Sequence, residues 1–169
     1  MKLAVRDSGI SGSGVFAEAD IRQGEMIHRM GGKRVSLLRC GFGILTGSVR
    51  IDDPLPIQNY QFIVLDDFSI RFNHSCSANA GLKGEGDLVA VVDIPKGGEV
   101  TFDYSLTMRP SFYSTFWSMP CRCSSPLCRK VIRDIRSVPA GQVRTFLAAG
   151  AVQDFMLESA RAVVARASG

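Results

Sequence analysis

The sequence has no apolar run approaching the roughly 18 uncharged residues that a membrane span requires. Its opening, Met1 to Asp7, is interrupted by Lys2, Arg6 and Asp7 before a secretory apolar region could form. No membrane partner is expected, and the protein reads as intracellular: cytoplasmic or, in a eukaryote, nuclear and chromatin-associated. A block of one charge is also missing. Twenty Lys and Arg stand against sixteen Asp and Glu, and the resulting +4 is spread along the chain. Such diffuse charge favours acidic surfaces or nucleic acid only weakly and does not decide function; direct nucleic-acid binding is not expected. Internal repeats, low-complexity tracts and long linkers are absent, which at 169 residues points to one core. With 46% hydrophobic and 21% charged residues, the chain has material enough to fill it. The five cysteines are an odd set. Three of them, Cys121, Cys123 and Cys128, crowd together in a way that suits a metal site better than a disulfide framework.

Short apolar runs separated by Gly, Asp and Pro fill the first two-thirds: Lys2 to Arg6, Gly14 to Ala17, Met26 to Met30, Tyr60 to Leu65, Leu88 to Val92 and Glu99 to Phe102. Each is of strand length, and the separators are rich in turn residues, so a mostly β arrangement of short strands is expected. No helix-length amphipathic stretch occurs before residue 105. After Pro139 the pattern changes. Val143, Phe146 and Leu147, then Val152, Phe155, Met156 and Ser159, recur at helical spacing, with Gly150 placed to end one helix in a left-handed residue. Packing is the expected role of these helices, with fraying past about Val164.

Four segments carry candidate chemistry. Arg71 to Asn79, RFNHSCSAN, is polar within an apolar chain, and Asn73, His74, Ser75 and Asn79 could bind a polar ligand or pin a crossing of segments. No acid partner for His74 is recognisable nearby, which favours a satisfied buried histidine over a catalytic base. Cys121, Cys123 and Cys128 form C-x-C-x4-C, and zinc needs four ligands. Cys76 is the obvious fourth and leaves Cys40 as a free thiol; reduced cysteines without metal are the alternative. Gly97 to Tyr104, GGEVTFDY, reads as a turn, a strand and a tyrosine that could orient an amine or simply pack in the core. Gly12-Ser13-Gly14 permits close backbone approach. It lacks the third glycine and the helix of a dinucleotide fingerprint, so a hairpin turn is its plain reading.

In this order the four segments resemble the SET-domain protein lysine methyltransferases. Gly12 to Ala17 is similar to that family's N-terminal glycine motif, Asn73 to Cys76 with Asn79 to its central motif, and Gly98 to Tyr104 to its catalytic strand. Cys121, Cys123 and Cys128 resemble the post-SET zinc motif, with Cys76 at the position that completes it. The resemblance covers about residues 3 to 133. It implies a fold of several small β-sheets with a knot-like crossing, a SET domain over 3–104, a post-SET zinc-binding segment over 105–133 and a C-terminal helical extension over 134–169. It further implies that S-adenosylmethionine is held by Gly12, Ser13 and Gly14, by Asn73 and His74, and by Tyr104. A lysine of a protein substrate, whether histone, histone-like or another basic protein, would enter from the opposite face. Tyr104 would align the amine, and Phe102 stands at the product-specificity position, where phenylalanine implies di- or trimethylation.

One feature departs from the family pattern. Ile27 to Gly31, IHRMG, has Arg29 where a channel tyrosine is frequent, and Tyr60 is the candidate to compensate. This gap keeps open a second reading, a catalytically inactive SET-like module that binds peptide or cofactor. A zinc-stabilised nucleic-acid-binding domain is a third, though it leaves the segments around Asn73 and Tyr104 unexplained. Phe112 to Trp117, FYSTFW, places aromatics on one helical face, as core packing or as a lid over the site.

Overall fold

A computed structural model describes residues 3–50, 53–111, 114–115 and 117–167. Turn residues cut the chain into short strands that pair locally. β1 (Leu3–Asp7) and β2 (Ser13–Ala17) form an antiparallel hairpin in which Leu3 faces Ala17 and Asp7 faces Ser13. β3 (Met26–Arg29) pairs with β8 (Asp87–Ala90), which also pairs with β7 (Ala80–Lys83). A second three-stranded sheet has the order β4 (Gly32–Ser36), β6 (Gln61–Leu65), β5 (Pro54–Gln58). The smallest pair is β9 (Met119–Pro120) with β10 (Val131–Ile132). The mostly β, multi-sheet fold expected from the sequence is the fold observed.

The sheet β3-β8-β7 lies between two cores, and the two-residue period of its strands decides which side chain enters which. Leu88 and Ala90 of β8, with Ala80 and Leu82 of β7, join Ile27, Ile63, Phe72 and Val100 on one side. Val89 and Val91 point the other way and meet Val143, Phe146, Val152 and Met156 of the C-terminal segment. That segment is α2 (Ala140–Ala148) followed by α3 (Leu157–Arg166). Gly150 sits between them at φ 61, the left-handed residue anticipated there. α3 runs beyond the expected fraying point because Val163 and Val164 pack against the second core.

Two further expectations are corrected. A helix does occur before residue 105: α1 spans Leu37–Leu45, sequence LLRCGFGIL. Only Cys40 and Gly43 are buried, while Leu38, Phe42 and Leu45 are exposed. The segment is short, and Gly41 and Gly43 resemble turn residues, which masks its helical pattern. Glu99 to Phe102, expected as a strand, joins no continuous ladder. It makes isolated bridges to Phe16, His74 and Ala80, because it threads between other segments rather than alongside one.

That threading is a crossing of residues 73–80 with 99–104. Phe102 N–H donates to Asn73 O (3.2 Å), Ser75 N–H to Phe102 O (3.3 Å) and Ala80 N–H to Thr101 O (3.0 Å). Asn79 completes the crossing with its side chain, donating to Glu99 O (2.8 Å) and accepting from Thr101 N–H (2.9 Å). Asn73, Ser75, Ala80, Thr101 and Phe102 are in the interior, where an unpaired amide would cost about 1–3 kcal/mol, while Asn79 and Glu99 are half-buried.

Docking of the C-terminal helices depends on the missing side chain of Gly81. A Cβ there would lie 2.6 Å from Ala151 O and 2.8 Å from Phe146 Cδ1. Gly81→Ala is therefore expected to lower stability by about 1–3 kcal/mol in urea denaturation through overpacking; an unchanged midpoint would contradict this packing.

Candidate active site and cysteine cluster

The crossing delivers Tyr104 to the junction of two cavities. The first, about 140 Å³, is walled by α1, β5 and β6 and includes Cys40, Ile44, Leu55, Phe72, Phe102 and Trp117. No charged residue lines it among the described residues. The second, about 260 Å³, has a mixed wall of Ile10, Ser11, Asn73, His74, Arg122 and Ile132. Tyr104 and Met119 line both.

Tyr104 is held from several directions. Its hydroxyl donates to Phe72 O at 2.7 Å, and its backbone N–H donates to His74 Nδ1 at 3.2 Å. Its ring lies 4.7 Å from that of Phe102 and 5.3 Å, edge-on, from His74. Phe102 is 4% exposed and is fixed through its own backbone in the crossing.

Because a backbone N–H can only donate, His74 Nδ1 must accept and its proton lies on Nε2. Nε2 stands 3.3 Å from Cys76 Sγ, as a donor to sulfur. The 3.4 Å approach of His74 Nδ1 to Asp103 Oδ1 is then not an ion pair. Burial drives the histidine pKa down to about 4, outweighing the attraction of Asp103. His74 is a buried, neutral, hydrogen-bonded histidine, the role that the sequence favoured over that of a base.

Asn73 joins the glycine turn to the crossing. Its Nδ2 donates to Ser13 O (3.0 Å), Ser8 Oγ (3.1 Å) and Glu99 Oε1 (2.7 Å). Gly12, at φ 49, makes the turn between β1 and β2, and a Cβ on Gly14 would strike the Glu99 carboxylate. The turn thus lies beside Asn73, while Ile10 and Ser11 just before it line the mixed cavity and Gly12, Ser13 and Gly14 do not.

Four sulfurs gather on the far side of Tyr104. Cys76 Sγ lies 3.7 Å from Cys121 Sγ, and Cys128 Sγ lies 3.6 Å from Cys121 Sγ. Cys123 Sγ accepts from Cys76 N–H at 3.4 Å. The ligand atoms of His74, Cys76, Cys121 and Cys123 all fall within 4.8 Å of one another. Zinc–sulfur bonds of about 2.3 Å in a tetrahedron set sulfurs roughly 3.8 Å apart, so the two sulfur separations fit a metal site and are far too long for a disulfide. Backbone N–H groups of Arg129 and Lys130 also point at Cys76 Sγ (3.3 Å) and Cys128 Sγ (3.4 Å), a donor set suited to thiolates. Burial raises the Cys121 thiol above its ordinary range. At Cys123 burial pushes the same way, yet N–H bonds from Cys76 and Ser125 and the neighbouring thiols bring it down to about 7. The close group of ligand atoms includes His74 and omits Cys128, which reaches the cluster through Cys121; His74 Nε2, protonated, donates to Cys76 Sγ.

Arg29, the departure seen in the sequence, and Tyr60, its candidate substitute, both lie away from the two cavities. Arg29 is on the exposed side of β3, bonded to Asp87 across the strand pair (2.7 and 3.1 Å). Tyr60 does not compensate: it is 74% exposed in the turn between β5 and β6, at φ 62, and lines neither cavity. Of the aromatic face, Phe112, Tyr113 and Phe116 lie outside the described residues, while Trp117 lines the apolar cavity and packs against the cysteine cluster. Sequence reasoning overlooked Met119, Asp103, Arg129 and the Phe72 carbonyl. Arg129 had one available signal, its place directly after Cys128; for Met119 and a main-chain oxygen there was none.

A family model of the SET domain matches residues 12–105, more than half of the chain. The chain is also similar to histone H3-lysine(4) N-trimethyltransferase ATX1 of Arabidopsis thaliana, at 31% identity over 150 residues. Histone-lysine N-methyltransferase ATX2 of the same plant shares 28% over 150 residues, and histone-lysine N-methyltransferase TRX1 of Oryza sativa subsp. japonica 28% over 153 residues. These alignments cover 79–80% of this chain but only 13–14% of the relatives, so the chain spans about one-seventh of their length.

Replacing Tyr104 by Phe removes one hydroxyl whose donor bond runs to Phe72 O. Tyr104→Phe is expected to cost about 1 kcal/mol in chemical denaturation and to leave the circular dichroism spectrum unchanged. A collapse of the fold would mean that the hydroxyl is a structural keystone.

Proposed function

Since the chain belongs to the SET-domain family, we propose that it is an S-adenosylmethionine-dependent protein-lysine N-methyltransferase acting on a histone or another basic protein, with a structural zinc in the Cys76, Cys121, Cys123 and Cys128 cluster. The observation that carries this reading is the shared wall. Tyr104 borders an uncharged cavity on one side and a mixed polar and apolar cavity on the other, as transfer between two ligands entering from opposite faces requires.

When bound, S-adenosylmethionine supplies a methyl on a sulfonium: the amine lone pair forms the C–N bond, the C–S electron pair stays on sulfur as S-adenosylhomocysteine, and the methylated amine is left cationic. The mixed cavity suits such a cofactor, with Ile10 and Ile132 for apolar contact, Ser11 and Asn73 for hydrogen bonds, and Arg122 as a cation for its carboxylate. Gly12, Ser13 and Gly14 would support it from the turn that Asn73 grips. On the other side, an uncharged wall disfavours an ammonium, whose pKa in water is about 10.4, and favours the neutral amine that can attack. Tyr104 donates its proton to Phe72 O, which turns its oxygen lone pairs to accept from the amine N–H. Accepting there directs the nitrogen lone pair, and with water excluded, orientation supplies most of the rate. His74 takes no proton, since its Nδ1 is occupied by Tyr104 N–H. Phe102 presents a bare ring where a tyrosine would add a hydroxyl to hold water, which supports di- or trimethylation. On this reading residues 3–104 carry the transfer, 105–133 the metal and 134–169 the helical extension, and a histone substrate would place the protein in the nucleus.

A second reading, a binding module without turnover, is favoured by one observation: Tyr104 is the sole tyrosine on the apolar cavity among the described residues. One assay separates the two. Labelled methyl from S-adenosylmethionine should appear on lysine of at least one protein in a panel of histones and basic proteins, and Tyr104→Phe should lower the rate by about 10²-fold or more. Cofactor binding without label on any acceptor would favour the module, and no cofactor binding would sink the transferase. Mass spectrometry under excess cofactor should find di- or trimethyl-lysine; monomethyl product alone would overturn the role given to Phe102.

The metal is tested apart from turnover. Elemental analysis should find one zinc per chain, and cobalt substitution should give the sulfur-to-metal absorption of a tetrathiolate site. Chelation is expected to lower the thermal midpoint by about 10 °C, equivalent to about 3 kcal/mol for a chain of this size. Cys121→Ser should abolish the cobalt spectrum and Cys40→Ser leave it unchanged.

A further inference from the structure

Between the sulfur cluster and Tyr104 lies a buried ion pair that neither the metal site nor the transfer step uses. The Asp103 side chain is fully buried and that of Arg129 is 11% exposed. Arg129 grips both carboxylate oxygens, Nη1 to Oδ2 and Nη2 to Oδ1, each at 2.7 Å, and Nη2 also donates to Ser105 Oγ at 3.0 Å. With its main chain the same residue donates to Cys76 Sγ at 3.3 Å. Asp103 in turn accepts from Ser105 N–H at 3.0 Å and so caps the helical turn Tyr104–Thr107. One residue therefore touches the sulfurs with its backbone, and with its side chain holds the residue immediately before Tyr104.

We propose that Asp103 and Arg129 are positioning residues that couple the cysteine cluster to Tyr104. This rests on the methyltransferase and zinc readings above. The physical argument is the asymmetry of buried charge: a fully buried carboxylate is tolerable while a planar guanidinium satisfies both oxygens, and is strongly unfavourable once that partner leaves. Arg129 can stay in place only while the loop between Cys121 and Cys128 is closed on Cys76. If that loop opens, Asp103 must reach for water, the capped turn rearranges, and the Tyr104 hydroxyl leaves its line to the Phe72 carbonyl. The coupling is reciprocal, so loosening the ion pair also loosens the cluster.

Three variants separate positioning from plain stability. Asp103→Asn keeps the shape and the cap acceptor but removes the charge. Arg129→Lys keeps the charge without the fork. The double variant Asp103→Asn with Arg129→Gln restores a neutral, hydrogen-bonding pair. Val143→Ala, in the remote C-terminal core, serves as the control for lost stability. Both single variants should lower kcat by about 10-fold or more with the peptide KM within about 3-fold, and should speed loss of zinc to a chromogenic chelator by about 5-fold or more. The double variant should recover part of both losses, while Val143→Ala changes neither at a temperature where it is folded.

Single variants whose kcat and zinc release follow the Val143→Ala control would overturn the proposal. So would a kcat that falls while zinc release is unaltered. If Asp103→Asn does not fold, Arg129→Lys and the double variant decide by the same criteria. A wild-type protein that holds zinc but transfers no methyl would overturn the functional reading, and the chelator arm would still decide the coupling. A wild type that transfers methyl without zinc would overturn the coupling and leave the transferase standing.

Discussion

Two extended segments can cross inside a protein only if every backbone amide at the crossing is satisfied, and the rest of this structure depends on that condition being met at residues 73–80 and 99–104. Asn79 is the means. Its carboxamide both donates to Glu99 O and accepts from Thr101 N–H, standing in for a strand that is not there. Asn73 ties in the N-terminal hairpin by donation, from Nδ2 to Ser13 O and to Glu99 Oε1. A crossing secured in this way is rigid, and rigidity is what a group that must align two ligands requires.

Function follows from what the crossing carries at its end. Phe102, Asp103 and Tyr104 are consecutive yet enter three different environments: the apolar core, a buried ion pair, and the wall between two cavities. The chemistry of the cavities differs because their walls come from different parts of the chain. α1 and the β4-β6-β5 sheet give the first its apolar surface; the N-terminal turn, the central motif and the cysteine segment give the second its polar groups. Membership of the SET-domain family supports a methyltransferase, and the proposed transfer rests on the place of Tyr104 between the two cavities.

The cysteine cluster closes the site from the C-terminal side. It is bound to the crossing by Cys76, to the helical segment by Gln142, whose amide donates to Cys76 O at 2.7 Å, and to Asp103 by Arg129. At its centre are buried sulfurs with backbone N–H donors aimed at them, and Cys121 belongs both to this cluster and to the wall of the mixed cavity. Stability of the C-terminal third and order at the active site are thus parts of one network.

Much of this was legible from residue types. Strand-length runs, the glycine at the helix junction, the polar segment around Asn73 and the close cysteine spacing all express local chemistry, which periodicity and turn preference read directly. The same rules failed where the outcome rested on partners distant in the chain. α1 is short and carries two glycines that resemble turn residues, so its packing beside a cavity was not legible from the pattern. Residues Glu99 to Phe102 look like a strand but bridge three separate segments. Tyr60, attractive as a replacement for a missing channel residue, points to solvent because its turn takes a left-handed backbone. Arg129 and Asp103, 26 residues apart, meet only because the cysteine loop folds back on the crossing. Sequence alone determined which groups were available, since valence, charge and turn geometry belong to the residue; the tertiary structure alone decided which of them face one another, because that depends on long-range packing and on satisfying every polar group the packing buries.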